Sequence, residues 1–116
     1  MFYTKLAILI GFVAFTAVAC LNSKATRISI REDKRYEATL FRQNCTICHG
    51  PEAEGKTLAD GRVIPNLRDG EHKYTTAFQI HDHIANGGNG MVPFRNTLTD
   101  REINLLVEFV MRDLRR

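Results

Sequence analysis

The apolar residues of this chain form three helical patterns that are separated by long polar stretches. The last pattern is the clearest, because its apolar residues recur at the spacing of a single helix face. These residues are Ile103, Leu106, Val107, Val110 and Leu114. Weaker helical patterns cover 33–44 and 76–86, and no segment alternates polar and apolar residues for long enough to predict a strand. The sequence therefore predicts an all-α fold with three main helices and long irregular loops.

Capping signals indicate where two of these helices begin and end. Thr99 precedes Glu102 by three residues, which is the spacing of a capping box, and Thr76 precedes Gln79 in the same way. Gly87 stands where a glycine would end the middle helix. We therefore expect the middle helix to end before Gly87 and the last helix to begin after Thr99.

The first twenty residues have the pattern of an export signal. A single basic residue, Lys5, precedes an apolar run over 6–21, which is shorter than the roughly 18–20 residues that span a bilayer. Small residues at 17–19 form a cleavage site, and Cys20 follows directly, as in a bacterial lipoprotein signal. We expect residues 1–19 to be a signal peptide and Cys20 to be a lipidation candidate. Cleavage without lipidation and retention as a signal anchor remain alternatives.

The remaining length allows only one folded domain. We expect residues 20–32 to be a tether and 33–116 to be the domain, in the periplasm or on the outer face of the cytoplasmic membrane. A domain of this size buries little apolar surface, so it usually needs a disulfide, a metal or a cofactor for stability. Of the three cysteines, Cys45 and Cys48 lie within the predicted domain.

These two cysteines belong to the sequence Cys45-Thr46-Ile47-Cys48-His49. The C-x-x-C-H spacing is the attachment motif of c-type haem: two thiols bond to vinyl groups at one porphyrin edge, and the next residue presents an imidazole to the iron. A thioredoxin-like redox pair would require a βαβ pattern, and a zinc site would require four clustered ligands. The sequence has neither, so the motif predicts one covalently bound haem c.

Three further features accompany this motif. Phe41 stands four residues before Cys45, the segment Pro65-Asn66-Leu67 follows in the long loop, and a glycine-rich segment, 87–94, surrounds Met91. In these features the chain resembles the small monohaem class I c-type cytochromes of bacteria, over about 36–114. The resemblance implies the class I cytochrome c fold, in which helices and long loops wrap around the haem.

The resemblance also implies which residues contact the haem. His49 would be the proximal ligand, with its second nitrogen donating to the carbonyl of Pro65 and with Leu67 beside the haem. Met91 would be the distal ligand, following a turn whose glycines let the backbone approach a flat cofactor. Among the other candidates, Met111 is expected to pack within the last helix. Surface positions are expected for His72, His81 and His83.

Two positions depart from the family pattern. Glu37 stands where the first helix usually has a glycine that packs on the last helix, and the neighbouring Ala38 could supply that contact. Val92 separates Met91 from Pro93, which adds slack to the distal loop. Three cations are candidates for binding the haem propionates, although a role at the solvated surface suits them equally: Arg62, Arg68 and Lys73.

The predicted activity is electron transfer and not catalysis, because two axial ligands from the protein leave the iron no open position for a substrate. We expect transient contacts with respiratory redox-partner proteins, a membrane tether, and neither a nucleic-acid partner nor a small-molecule substrate. The formal net charge of +3 does not argue for nucleic acid, since ionised propionates would offset most of it. Two alternatives remain: a cytochrome subunit of a larger oxidase or dehydrogenase complex, and a haem enzyme or gas sensor with a displaceable Met91.

Overall fold

Helices and one short hairpin make up the computed structural model, which describes residues 27–115. The predicted signal peptide, Cys20 and the beginning of the predicted tether lie outside the described residues. The helices are α1 (Tyr36–Asn44), α2 (Thr46–His49), α3 (Ala77–Asn86) and α4 (Asp100–Glu108), and a π-helical segment, Phe109–Leu114, continues α4. Strands β1 (Lys56–Thr57) and β2 (Val63–Ile64) pair in antiparallel orientation.

Both predicted capping boxes are present. The hydroxyl of Thr99 accepts the N–H of Glu102 (3.3 Å), and the carboxylate of Glu102 accepts the N–H of Thr99 (2.8 Å). Thr76 and Gln79 form the same reciprocal pair, with both bonds at 3.2 Å. Because each cap satisfies donors that the first helical turn leaves unpaired, it contributes about 1 kcal/mol and fixes where α3 and α4 begin.

Helix α1 begins three residues later than the helical pattern over 33–44 predicts. The carboxylate of Asp33 accepts the N–H of Arg35 (2.9 Å), so this side chain offers the backbone a local turn in place of a helical hydrogen bond. The helix starts only at Tyr36, once that turn is complete.

The core forms where α1 packs against α4 and its π-helical continuation. All five residues of the predicted apolar stripe are buried, and the rings of Phe41 and Phe109 lie 5.9 Å apart between centroids. Ala38 is fully buried, whereas the carboxylate of Glu37 lies 3.3 Å from the guanidinium of Arg35. The small residue that faces the core is therefore Ala38, one position after the glycine of the family pattern.

Two features add to the predicted fold without changing its class. Helix α2 is a single turn, and each strand of the hairpin has two residues, which is too short to produce an alternating pattern in the sequence. Within residues 27–115, no helix combines the length and the apolar character needed to cross a bilayer.

Residues 27–31, which the sequence assigns to the tether, pack on the domain. Ile30 is fully buried, and its N–H donates to the carboxylate of Glu52 (2.9 Å). Arg68 donates to the carbonyl of Ile28 (3.0 Å) and to the carboxylate of Glu52 (2.9 Å), while Arg42 donates to the carbonyl of Ile30. We call Arg42, Glu52 and Arg68 the N-terminal clamp. The packed structure therefore includes Ile28 and Ile30, before the predicted boundary at residue 33.

The clamp makes the stability of the domain depend on pH. Burial raises the pKa of Glu52, but hydrogen bonds from the N–H groups of Ile30 and Arg31 and from Ser29, with the charge of Arg68, lower it to below its usual value. A carboxyl group whose pKa is depressed by folding stabilises the protein at pH values above its unfolded pKa. That contribution is lost as the pH falls through the lower, folded pKa.

We predict that Glu52→Gln lowers the free energy of unfolding by about 1–2 kcal/mol at pH 7, because the amide cannot accept all of these hydrogen bonds. The difference from wild type should shrink as the pH falls below about 4, where the wild-type carboxylate becomes protonated as well. Denaturant unfolding of both proteins at a series of pH values measures this difference in the free energy of unfolding. Glu71→Gln, at an exposed position, is the control, and a difference that does not change with pH would contradict the prediction.

Candidate haem site

The end of α1 places the two cysteines of the attachment motif. The N–H of Cys45 donates to the carbonyl of Phe41 (2.8 Å) and closes the helix, and the hydroxyl of Thr46 donates to the carbonyl of Arg42 (2.8 Å). Helix α2 then carries the chain through Cys48 to His49. Cys45 is half-buried against the core and Cys48 is exposed, and the two cysteines are not joined by a disulfide. Burial, with a smaller effect of Cys48, raises the pKa of the Cys45 thiol to about 12.

The environment of His49 favours a neutral imidazole. Burial lowers the pKa of His49, the carbonyl of Pro65 opposes that effect, and the nearby His83 lowers the pKa further. The Nδ1 atom is buried and makes no hydrogen bond to the described residues, although the carbonyl of Pro65 raises the pKa of the ring. A neutral imidazole is the form that ligates a metal. The structure thus places the Pro65 carbonyl near the His49 ring, but the expected hydrogen bond from Nδ1 to that carbonyl is not formed.

The loop after His49 folds back onto the segment that contains Pro65. The carbonyl of His49 accepts the N–H of Gly55 (2.7 Å), and the carbonyl of Ala53 accepts the N–H of Leu67 (2.9 Å). Ala53 is fully buried and has a φ of 63°, a conformation that costs a residue with a Cβ atom about 1–2 kcal/mol. Leu67 packs on the core, whereas Pro65 itself is exposed.

A tight turn presents Met91 on the distal side. The N–H of Gly88 donates to the carbonyl of Met91 (2.9 Å), and the N–H of Met91 donates to the carbonyl of Gly88 (3.0 Å). The two residues between them, Asn89 and Gly90, have φ values of 51° and 88°. Positive values at both positions define a type I′ turn, for which Asn-Gly is the preferred sequence. Met91 is half-buried and packs against the core.

The loop that follows the turn is fixed to the end of α3. The N–H of Phe94 donates to the carbonyl of Ile84 (3.0 Å), and the N–H of Arg95 donates to the carbonyl of Ala85 (3.1 Å). These carbonyls belong to the last turn of the helix, where the helix itself supplies no donors. Gly87 stands between the helix and the turn with a φ of 69°. Helix α3 therefore determines where the Met91 turn begins and where its loop ends.

The other candidate ligands lie in different environments. The Nε2 atom of His81 lies 2.9 Å from the carboxylate of Asp100, which links α3 to the start of α4. The prediction that Met111 packs in the last helix is wrong, because 38% of this residue is exposed. It lies beyond the apolar face of that helix.

His83 is not an ordinary surface residue, in contrast to the prediction. It is half-buried, its ring stacks on that of Tyr74 at 4.5 Å between centroids, and it lies close enough to His49 to lower the pKa of that group. The sequence holds a signal for this position, because His83 follows Ile80 by three residues and so shares its helix face. Tyr74 has no comparable signal, since it lies in a loop.

The three cations considered for the propionates are also separated by the structure. Arg68 belongs to the N-terminal clamp, and only 6% of its side chain is exposed. Arg62 pairs with the carboxylate of Asp60 (2.7 Å) at the surface, and the ammonium group of Lys73 lies 5.4 Å from the centre of the Tyr74 ring. Arg68 is therefore neither solvated nor available to a propionate.

The donor set fits a covalently attached haem. Two thiols lie three residues apart at the end of one helix, and the histidine that follows them has a buried Nδ1 atom next to a backbone carbonyl. The thioether of Met91, on a tight turn, is a further soft donor. Within the described residues no group of three or more His, Cys, Asp and Glu side chains could hold a metal ion in another way.

This small helical fold with a C-x-x-C-H motif at the end of its first helix defines a c-type cytochrome. The chain belongs to the family described as cytochrome c oxidase, cbb3-type, subunit III, whose model matches residues 33–110. A solved structure described as the KustC0563 c-type cytochrome is 29% identical, with a TM-score of 0.58, and the match covers 67% of this chain and 95% of that chain. The protein is thus a haem-bearing electron carrier of the class I cytochrome c fold, and its haem c is covalently bound.

We predict that Gly87→Ala is far more destabilising than the same substitution at Gly70. Both glycines have a positive φ, at 69° and 89°, so both variants carry about 1–2 kcal/mol of backbone strain. A Cβ atom at Gly87 would also lie 2.5 Å from the carbonyl oxygen of Met91, whereas at Gly70 it would meet nothing within 4 Å.

The total cost at Gly87 should be about 2–5 kcal/mol, as measured by denaturant unfolding of the holoprotein. Equal losses of stability in the two variants would show that the backbone contact between Gly87 and Met91 is absent.

Proposed function

We propose that this protein is an exported, membrane-tethered monohaem cytochrome that passes single electrons between respiratory partners through a haem ligated by His49 and Met91. The observation that carries the ligation is the type I′ turn, which places a half-buried thioether next to α3 on a backbone fixed at both ends. His83 of α3 lies near both His49 and Gly88, which supports a single site formed by the proximal histidine and the distal turn.

Each side chain of this site has a definite task. Cys45 and Cys48 would form the thioether bonds, and His49 would bind the iron through Nε2 while Nδ1 donates to the carbonyl of Pro65, which orients the ring. Leu67 would pack beside the haem. The Met91 thioether would fill the distal position and favour ferrous iron. The bound haem supplies the iron(III)/iron(II) couple, and a protein that occupies both axial positions leaves no place for a substrate.

We predict that Met91→Ala abolishes the far-red methionine–iron charge-transfer band of the ferric protein and lets the reduced protein bind carbon monoxide at neutral pH. Absorption spectra of the two oxidation states measure both effects. Met111→Ala is the matched control, because Met111 is exposed on the last helix. A wild-type protein that lacks the band and binds carbon monoxide readily would instead support a haem enzyme or a gas sensor.

We predict that replacing both Cys45 and Cys48 by alanine eliminates covalent haem, because the thiols are the only groups of the motif that can form thioether bonds. Acid extraction followed by denaturing electrophoresis with haem staining measures this. Each single variant should retain one bond and remain stained. Covalent haem in the double variant would refute the assignment of the motif.

Export and tethering rest on the sequence before the described residues. The apolar run, the small residues at 17–19 and Cys20 support a lipoprotein signal, and haem attachment to exported chains is the usual context of the motif. The proposed partners are redox proteins that bind transiently, as small electron-transfer interfaces do. Mass spectrometry of the mature N-terminus distinguishes acylated Cys20, a free N-terminus and a retained leader.

A second candidate function is a cytochrome subunit of a larger complex. The observation that favours it is the description of the family, which names a subunit of a cytochrome c oxidase. Gentle detergent extraction separates the two functions, because a complex subunit would co-purify with larger chains. A haem protein of about the mass of this chain alone would support the free carrier.

A further inference from the structure

The side chain of Asn89 makes a contact that its turn does not require. A type I′ turn needs only residues that tolerate positive φ, and glycine would serve as well as asparagine at this position. Yet the Nδ2 atom of Asn89 donates to the hydroxyl of Tyr74 at 2.9 Å, across 15 residues of sequence. The turn that presents Met91 is thus joined to a residue in a different loop.

Tyr74 is well fixed at the other end of this bond. Its ring packs against the core and stacks on His83 of α3 at 4.5 Å between centroids. Its carbonyl accepts a hydrogen bond from Arg115 at 2.7 Å, which ties the residue to the end of the chain's last helix. A hydroxyl positioned from both sides in this way is a rigid acceptor, whereas the two backbone hydrogen bonds of residues 88–91 both join Gly88 to Met91 within the turn.

We propose that Tyr74 and Asn89 are positioning residues for the distal ligand, and that their hydrogen bond slows the departure of Met91 from the iron. The inference rests on the proposed His49/Met91 ligation. If the thioether left the iron by a movement of the 88–91 turn, that movement would break the Asn89–Tyr74 bond. A hydrogen bond of this kind changes a rate by about three- to tenfold.

The test is the rate at which imidazole replaces the distal ligand in the ferric holoprotein at pH 7. At saturating imidazole this rate reports the dissociation of Met91. Asn89→Gly keeps a residue suited to positive φ and removes only the donor, and Tyr74→Phe keeps the stacked ring and removes only the acceptor. We expect both to raise the limiting rate by about three- to tenfold, and the double variant to be no faster than either single variant.

Two further variants separate positioning from general stability. Asn89→Asp retains an acceptor for the Tyr74 hydroxyl, so in the wild-type background it should keep the limiting rate of imidazole binding slow. When it is combined with Tyr74→Phe, which removes that hydroxyl, the rate should be as fast as in Tyr74→Phe alone. Asn104→Ala removes another exposed amide hydrogen bond, to Asp100 at 3.3 Å on α4, and should leave the rate unchanged. The free energy of unfolding is measured for every variant.

The outcomes are distinct. A wild-type ferric protein without the far-red methionine band would overturn the proposed ligation, and this inference with it. A wild-type protein that shows the band, together with Asn89→Gly and Tyr74→Phe rates within twofold of wild type, would overturn this inference alone. Additive rates in the double variant would also overturn it, because they would show that the two side chains act separately.

Discussion

The arrangement around His49 depends on one largely buried ion pair, between Arg68 and Glu52. Only 6% of the Arg68 side chain is exposed, and it donates to the carbonyl of Ile28, to the carbonyl of Glu52 and to the Glu52 carboxylate. Removing water from a guanidinium group is costly unless its donors are satisfied. The N-terminal segment, the loop after the haem motif and the segment around Leu67 must therefore reach their positions together. The carbonyl of Pro65, which acts on His49, lies three residues before this arginine.

The distal side uses a different kind of constraint. Among the described residues, no buried ion pair holds the Met91 turn in place. The turn is held instead by its positive φ values, by close backbone packing at Gly87 and by hydrogen bonds from the following loop to the end of α3. Such local constraints fix the shape of a turn. They oppose a movement of the whole turn more weakly than a buried ion pair would. The proximal side is therefore held by a largely buried ion pair in addition to backbone contacts. On the distal side, the Asn89–Tyr74 bond is a contact from a side chain of the turn itself to another loop.

The sequence predicted what is local and periodic. The stripe from Ile103 to Leu114, both capping boxes and the haem motif depend on residues a few positions apart, so a single sequence reveals them. The Asn89-Gly90 turn was also within reach, because Asn-Gly is a strong local signal. The N-terminal clamp could not be predicted from the sequence. Ile30 lies in a charged stretch without periodicity, and the partners of Arg68 are 16 and 40 residues away in the sequence. Its role depends on the path of a long loop, which no short pattern encodes. The position of Tyr74 beside His83 likewise depends on the path of a long loop, so no short pattern predicts it.

The clamp also bears on how the protein would meet its partners. A tether over 20–32 would give the domain considerable freedom, but the buried Ile30 already fixes the chain to the domain, and Arg27 adds a surface ion pair with Asp69. Under the proposed acylation of Cys20, only about seven residues would separate the lipid from the folded domain. A fully extended chain of that length spans about 23–25 Å, which is close to the diameter of a domain of this size. The haem would then stay within the combined length of this segment and the domain, roughly two domain diameters, of the bilayer, which favours electron partners that are themselves bound to the membrane.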